Sequence, residues 1–128
     1  MYYIYIDGDD IGLEIEKSFI DNDEISLGQI NKEINSVTKE MSDYMVKAGL
    51  SILFLGADGI ICKGENINIK ELSSYIKEIS NKFTFSIGVG NNLRDSFLAL
   101  RYAKSIGKDV NILFINHVFE IVRSENSS

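Results

Sequence analysis

What most constrains this chain is the order in which its hydrophobic period changes. Residues 2–7, Tyr-Tyr-Ile-Tyr-Ile-Asp, are rich in aromatic and β-branched side chains and predict a strand. Ile11, Ile15 and Phe19 then recur every four residues, one face of a short helix. Leu27, Ile30, Ile34, Val37, Met41 and Met45 alternate steps of three and four through a longer helix, with Gly49 as its stop. Residues 50–55 and 60–63 predict two strands, joined by the hairpin turn Gly56-Ala-Asp-Gly59. Asn68 with Glu71 three residues on starts a third helix, whose apolar face is Ile69, Leu72, Ile76 and Ile79. Phe83, Phe85, Ile87 and Val89 alternate with Thr84, Ser86 and Gly88, the pattern of a half-buried strand. Asn92 caps a fourth helix through Asp95 and Gly107 ends it. Residues 111–115 predict a last strand, with a short extension near 118–122.

The order is therefore β-α-α-β-β-α-β-α-β. With the second helix set aside, its first part is βαββαβ, a split βαβ unit. The expected fold is α+β and ferredoxin-like. It has an antiparallel sheet, helices on one face, and an additional C-terminal helix–strand unit. At 128 residues the chain suits one domain with one core, 1–123, followed by a polar tail at 124–128 that is expected to fray. No apolar run approaches the ~20 residues that span a bilayer, and acids appear within seven residues of the start, unlike a signal peptide. Insertion into a membrane is not expected.

Thirteen Lys and Arg against nineteen Asp and Glu leave a formal charge of −6. Such a chain does not track a phosphate backbone, so duplex nucleic acid is excluded as the main partner. A nucleotide held through a divalent cation remains compatible. Cys62 is the only cysteine, so no intramolecular disulfide forms, which fits a cytoplasmic protein.

In a split βαβ fold the first strand lies beside the central hairpin. Two acidic turns then meet: Asp7-Gly-Asp-Asp10 at the exit of strand one, and Asp58 at the hairpin tip. Carboxylates from two elements suit a hard cation such as Mg²⁺ or Mn²⁺ that keeps room for phosphate oxygens. Gly8 leaves its carbonyl free to approach the ion, and the amides of Asp9 to Gly12 open a helix, where a triphosphate is favoured. Taken singly these are common turn sequences, and Asp10 reads equally as an N-cap. Taken together, two acidic turns at one sheet edge are costly without a cation. Lys104 and Lys108, four apart on one helical face, read either as complements of the helix dipole or as phosphate clamps. His117 reads as a surface or packed residue, and Cys62 as a small core residue. Tyr2, Tyr3 and Tyr5 read as packing, and Asp21, Asp23 and Glu24 as a solvated loop and helix start.

Four motifs stand in the order found in the GGDEF-like palm superfamily. They are Asp7-Gly-Asp9 after a strand, Gly56-Ala-Asp58 in a hairpin, Ser86-Ile-Gly-Val89, and Ala99-x3-Ala103-Lys104-x2-Gly107-Lys108. Over residues 2 to about 115 the chain most resembles the minimal CRISPR polymerase family. The resemblance implies a two-metal nucleotidyltransferase that makes cyclic nucleotides from NTPs and releases pyrophosphate. By motif match, Asp7 and Asp58 are the catalytic metal-binding acids, with the Gly8 carbonyl assisting. The nucleotide lies along Gly8, Asp9, Asp10, Ile11, Gly12, Gly56 and Ala57, and Lys104 and Lys108 touch its phosphates. Gly12 stands where diguanylate cyclases have a lysine, Ile15 where they read guanine with an asparagine, and Gly59 where the hairpin has a further acid. ATP is therefore the expected substrate. The implied product is a cyclic di- or oligonucleotide, cyclic di-AMP in first place, serving anti-phage defence. A separately encoded effector, often a membrane protein, would sense it. Because one site holds one donor nucleotide, a homodimer is expected. The alternatives are a hydrolase of the GTP cyclohydrolase III type, a catalytically silent palm that senses a nucleotide, and a plain ferredoxin-like interaction module.

Overall fold

In the computed structural model, which describes residues 1–56 and 58–123, ten elements follow in chain order. They are β1 (Tyr2–Gly8), α1 (Ile11–Ile20), α2 (Glu24–Lys47), β2 (Ser51–Leu55), β3 (Gly59–Gly64), α3 (Ile69–Ile79), β4 (Phe85–Gly90), α4 (Leu93–Ile106), β5 (Asn111–Ile115) and β6 (Val118–Ile121). Three helix starts are set locally by the side chains the sequence indicates. Asp23 accepts the Ser26 amide, Asn68 the Glu71 amide and Asn92 the Asp95 amide. Gly49, with φ of 89°, follows the Ala48 cap of α2.

The sheet runs β2-β3-β1-β4-β5-β6. β1 is antiparallel to both β3 and β4, which is the split βαβ arrangement. The C-terminal unit extends the sheet: β5 joins β4 in a parallel pair, and β6 returns antiparallel to β5. The sheet is thus antiparallel apart from one pair.

Period-two alternation decides which residues fill the main core. Ile4 and Ile6 of β1, Ile60 and Cys62 of β3, and Ile87 and Val89 of β4 share one face and are at most 1% exposed. Ile34, Val37, Met41 and Met45 of α2 and Leu72 and Ile76 of α3 cover them. Burying side chains of this size contributes about 1.5–3 kcal/mol each. α4 lies on the opposite face. Its Ala99 and Ala103 pack with Ile112, which pairs with Gly88.

That position of α4 corrects the reading of β4 as half-buried. Every residue from Phe85 to Gly90 is buried, because α2 and α3 cover one face and α4 the other. Gly88 is what lets α4 come this close. A Cβ there would fall 2.5 Å from the Ser96 carbonyl oxygen and 2.8 Å from the Leu100 Cα. Two other expectations also change. Phe19 is 69% exposed, because α1 packs against α2 and its far end overhangs. β2 is an edge strand with an irregularity between Ile52 and Phe54, which leaves Leu53, Phe54 and Leu55 exposed. Ala57 and the tail expected to fray, 124–128, lie outside the described residues.

Candidate active site

Asp7 sits one residue from the end of β1, paired with Gly59 on β3 and Ser86 on β4. Alternation puts it on the face that carries Tyr5 and α4 rather than on the core face. Asp58 immediately precedes β3, and its carbonyl oxygen accepts the Gly8 amide at 2.9 Å. The two acidic turns therefore meet, as the topology predicts. Gly59 makes the approach possible. A Cβ there would stand 2.8 Å from the Ile6 carbonyl oxygen and 3.0 Å from Asp7 Oδ1.

The electrostatics leave Asp7 short of a counter-charge. Burial raises the Asp7 carboxyl above its ordinary value, the Asp58 charge raises it further, and Lys104 only partly offsets them. Tyr5, two residues back on the same face, is raised as well, first by burial and then by the charges of Asp7 and Asp58.

Lys104, in the last turn of α4, projects into this corner. Its Nζ donates to the Gly8 carbonyl at 2.8 Å, the Asp7 carbonyl at 3.3 Å and Asp9 Oδ1 at 2.8 Å, and lies 3.4 Å from Asp7 Oδ2. Lys108 does not share a helical face with it, because α4 ends at Ile106 and Gly107 caps it. From beyond the helix Lys108 reaches Asp10 instead, an ion pair that raises the lysine further.

Asp9 corrects the sequence reading most clearly. Its amide donates to the Thr84 carbonyl at 2.9 Å, so it is not open to a phosphate. Its carboxylate, 2% exposed, accepts Thr84 Oγ1 at 2.7 Å, Ser86 Oγ at 2.9 Å, the Asp109 amide at 2.8 Å and Lys104. Burial pushes this carboxyl up, but the Lys104 bond, the Asp109 amide and the two hydroxyls outweigh it and hold it below the ordinary range. Asp9 braces the site from within. Thr84, Ser86 and Asp109 went unassigned in the sequence because their partner is far away along the chain.

Asp10 occupies the N-cap position of α1 in the left-handed region, with φ of 58°, and makes no side-chain cap. The amides of Ile11 and Gly12 at this helix start have no side-chain cap from Asp10. The Ile11 side chain is buried in the core. Gly8 is glycine for a packing reason: a Cβ there would collide with the Ile11 side chain. Gly56 closes the hairpin by donating to the Gly59 carbonyl at 2.9 Å. Ala57, the remaining residue of the expected nucleotide site, lies outside the described residues.

A groove of about 620 Å³ opens beside Asp58 between α1 and α2. Ile15, Leu27 and Ile34 make it apolar, Gly12 joins it to the α1 start, and Asn31 and Asn35 add polar groups. Its size is that of a small-molecule site. The period of α2 marks Ile34 as core and gives no sign that this helix also walls a groove.

Among the described residues no group of three or more acid, His or Cys side chains gathers that by itself would hold a metal. The donors present, two carboxylates and a backbone carbonyl, are hard oxygens. They suit an ion of the Mg²⁺ kind, which takes one or two protein carboxylates and completes its shell with substrate phosphates and water. Asp7 and Asp58, with mutually unfavourable charges, fit such an ion. No helix among the described residues is long and apolar enough to cross a membrane.

Solved structures share the fold. The chain aligns with a diguanylate cyclase/phosphodiesterase from Caldicellulosiruptor saccharolyticus at 20% identity and TM-score 0.57, covering 93% of this chain and 78% of that one. The adenylyl cyclase CyaB from P. aeruginosa aligns at 12% identity and TM-score 0.58, with 88% and 74% covered. The guanylyl cyclase Cya2 aligns at 11% identity and TM-score 0.57, with 88% and 73% covered. No curated protein matches the sequence. The family model described as the minimal CRISPR polymerase domain matches residues 3–114, from within β1 into β5. On a palm fold shared with nucleotide cyclases, that match means the chain belongs to the minimal CRISPR polymerase domain family.

Proposed function

We propose that this palm domain is a metal-dependent nucleotide cyclase. It joins two NTPs, ATP in first place, into a cyclic dinucleotide messenger. The observation that carries the reading is the corner itself: Asp7, the Gly8 carbonyl and Asp58 meet beside the α1 start, with Lys104 already engaged there. Asp7, Asp58 and the Gly8 carbonyl would hold Mg²⁺ or Mn²⁺. When bound, the ion supplies neutralisation of the triphosphate and a lowered pKa for the attacking ribose hydroxyl.

The chain's own residues do the rest. The amides of Ile11 and Gly12, with Lys104 and Lys108, bind the phosphates. The α1–α2 groove takes the base. Ile15 offers it no hydrogen bond, which disfavours guanine. Asn35 Nδ2 donates to Asn31 Oδ1 at 3.3 Å, so Asn31 retains a donor and Asn35 an acceptor for a base edge. In the reaction the ribose oxygen of one nucleotide bonds to the α-phosphorus of another. The bond from that phosphorus to the β-phosphate oxygen breaks, pyrophosphate leaves, and the hydroxyl proton passes to water. A second such step closes the ring. Positioning and charge neutralisation carry most of this chemistry.

One corner per chain binds one donor nucleotide, so two chains act as a homodimer. Leu53, Phe54 and Leu55, exposed next to the Asp58 hairpin, offer an apolar surface for that contact. In this reading the product is a messenger of anti-phage defence, sensed in the cytoplasm by a separately encoded effector. The test is a mass-spectrometric product assay with each NTP and with mixtures, with Mg²⁺ or Mn²⁺, beside Asp58→Ala. A cyclic di-adenylate with pyrophosphate release, absent from the variant, supports the reading. Equal product from Asp58→Ala refutes the metal assignment.

A further inference from the structure

The Lys104 ammonium rests on the atoms the proposed metal needs. It donates to the Gly8 carbonyl at 2.8 Å and lies 3.4 Å from Asp7 Oδ2. An ammonium and a dication that share one carbonyl and one carboxylate repel each other at close range. The lysine is also able to leave. Its head ends a flexible four-carbon stem, and its side chain is 29% exposed. Asp9, the buried acid it would abandon, keeps three donors in Thr84 Oγ1, Ser86 Oγ and the Asp109 amide. No buried charge is therefore stranded when Lys104 swings outward. A triphosphate seated at the α1 start is the natural destination for a displaced ammonium.

We propose that Lys104 is the resident cation of the acidic corner, that a divalent metal enters only in exchange for it, and that the triphosphate which draws it away makes metal and nucleotide binding mutually dependent. The proposal rests on the metal reading of Asp7, Gly8 and Asp58 given above. It assigns Lys104 two positions: on Gly8 and Asp7 in the free protein, and on phosphate in the loaded one. Metal alone then binds poorly, and each ligand raises the affinity for the other by the same factor.

The test is Mn²⁺ binding followed by the loss of the free Mn²⁺ electron paramagnetic resonance signal. It is run with and without an ATP analogue whose α–β bridge is an imido group. In the wild-type protein, after correction for the Mn²⁺ that the analogue takes up in a protein-free control, the analogue is expected to tighten Mn²⁺ about tenfold or more, within the ordinary range of such couplings. In Lys104→Met, Mn²⁺ alone is expected to bind about tenfold tighter than to wild type, and the effect of the analogue to shrink accordingly. Lys104→Arg, which keeps a cation, is expected to remain weak for Mn²⁺ alone. Lys104→Gln, which loses the charge but keeps a polar head, is expected to behave as Lys104→Met does, so the test survives a Lys104→Met chain that fails to fold. If Lys104→Met and wild type bind Mn²⁺ alone equally, while Asp58→Ala still abolishes analogue-dependent Mn²⁺ binding, the exchange is overturned and the metal reading stands. If Asp58→Ala binds Mn²⁺ and analogue like wild type, the metal reading fails and takes the exchange with it.

Discussion

Gly88→Ala tests the packing that carries Lys104 into the corner. An ideal Cβ at Gly88 falls 2.5 Å from the Ser96 carbonyl oxygen and 2.8 Å from the Leu100 Cα, with the Leu100 amide nitrogen closer still. These are backbone atoms of α4, so no rotamer change relieves the contact. Non-bonded carbon atoms prefer about 3.5–4.0 Å, so α4 must retreat by roughly 1 Å. Overpacking of this kind costs about 1–3 kcal/mol. The same retreat draws Lys104 away from the Gly8 carbonyl, which it now meets at 2.8 Å. Urea unfolding reads the first effect, as a midpoint lowered by roughly 1 M at unchanged slope. Gly28→Ala is the control, because the same methyl group in the interior of α2 meets nothing within 4 Å. It should raise stability by about 0.5–1 kcal/mol, the usual gain of alanine over glycine in a helix. A Gly88→Ala protein that unfolds at the wild-type midpoint would show that α4 does not rest on the sheet as described.

Three further outcomes follow from the same geometry. The Asp9 carboxyl is held below its ordinary value, so its contribution is complete above about pH 4 and is lost as pH falls through the depressed native value. Asp9→Asn should therefore be weaker than wild type at pH 7 but lose less on acidification. Stability curves of the two proteins that run parallel below pH 5 would contradict this. Cys62, buried against Met45 Sδ at 3.6 Å, has its thiol pushed up to about 12 by burial. Alkylating reagents at pH 8 should label it only as the chain unfolds, and rapid labelling of the native protein would remove it from the core. Gly59→Ala presses on Asp7 Oδ1 and the Ile6 carbonyl. It should lower the unfolding midpoint and weaken metal-supported nucleotide turnover together, and an unchanged product assay would refute the close approach.

Much of this protein is determined within short stretches of chain. Strand and helix alternate because the apolar period does, and that period needs only neighbours two, three or four residues away. Asp23, Asn68 and Asn92 start their helices by accepting an amide three residues on, again a local matter. The order of those elements suffices to bring β1 beside the hairpin, and so Asp7 beside Asp58, because few topologies suit a split βαβ unit. What the tertiary structure alone decides is which side of the sheet each added piece takes and where long side chains end. α4 crosses the face opposite α2 and α3, which buries β4 on both sides, and no period along β4 records that. Lys104 and Lys108 look equivalent by spacing, yet the helix ends between them and sends them to different acids. Asp9, Asp10 and Asp7 look like one acidic run. Asp9 turns inward because its partners lie 75 to 100 residues away in Thr84, Ser86, Lys104 and Asp109. Contacts of that span leave no local pattern, since only the folded sheet brings their elements together.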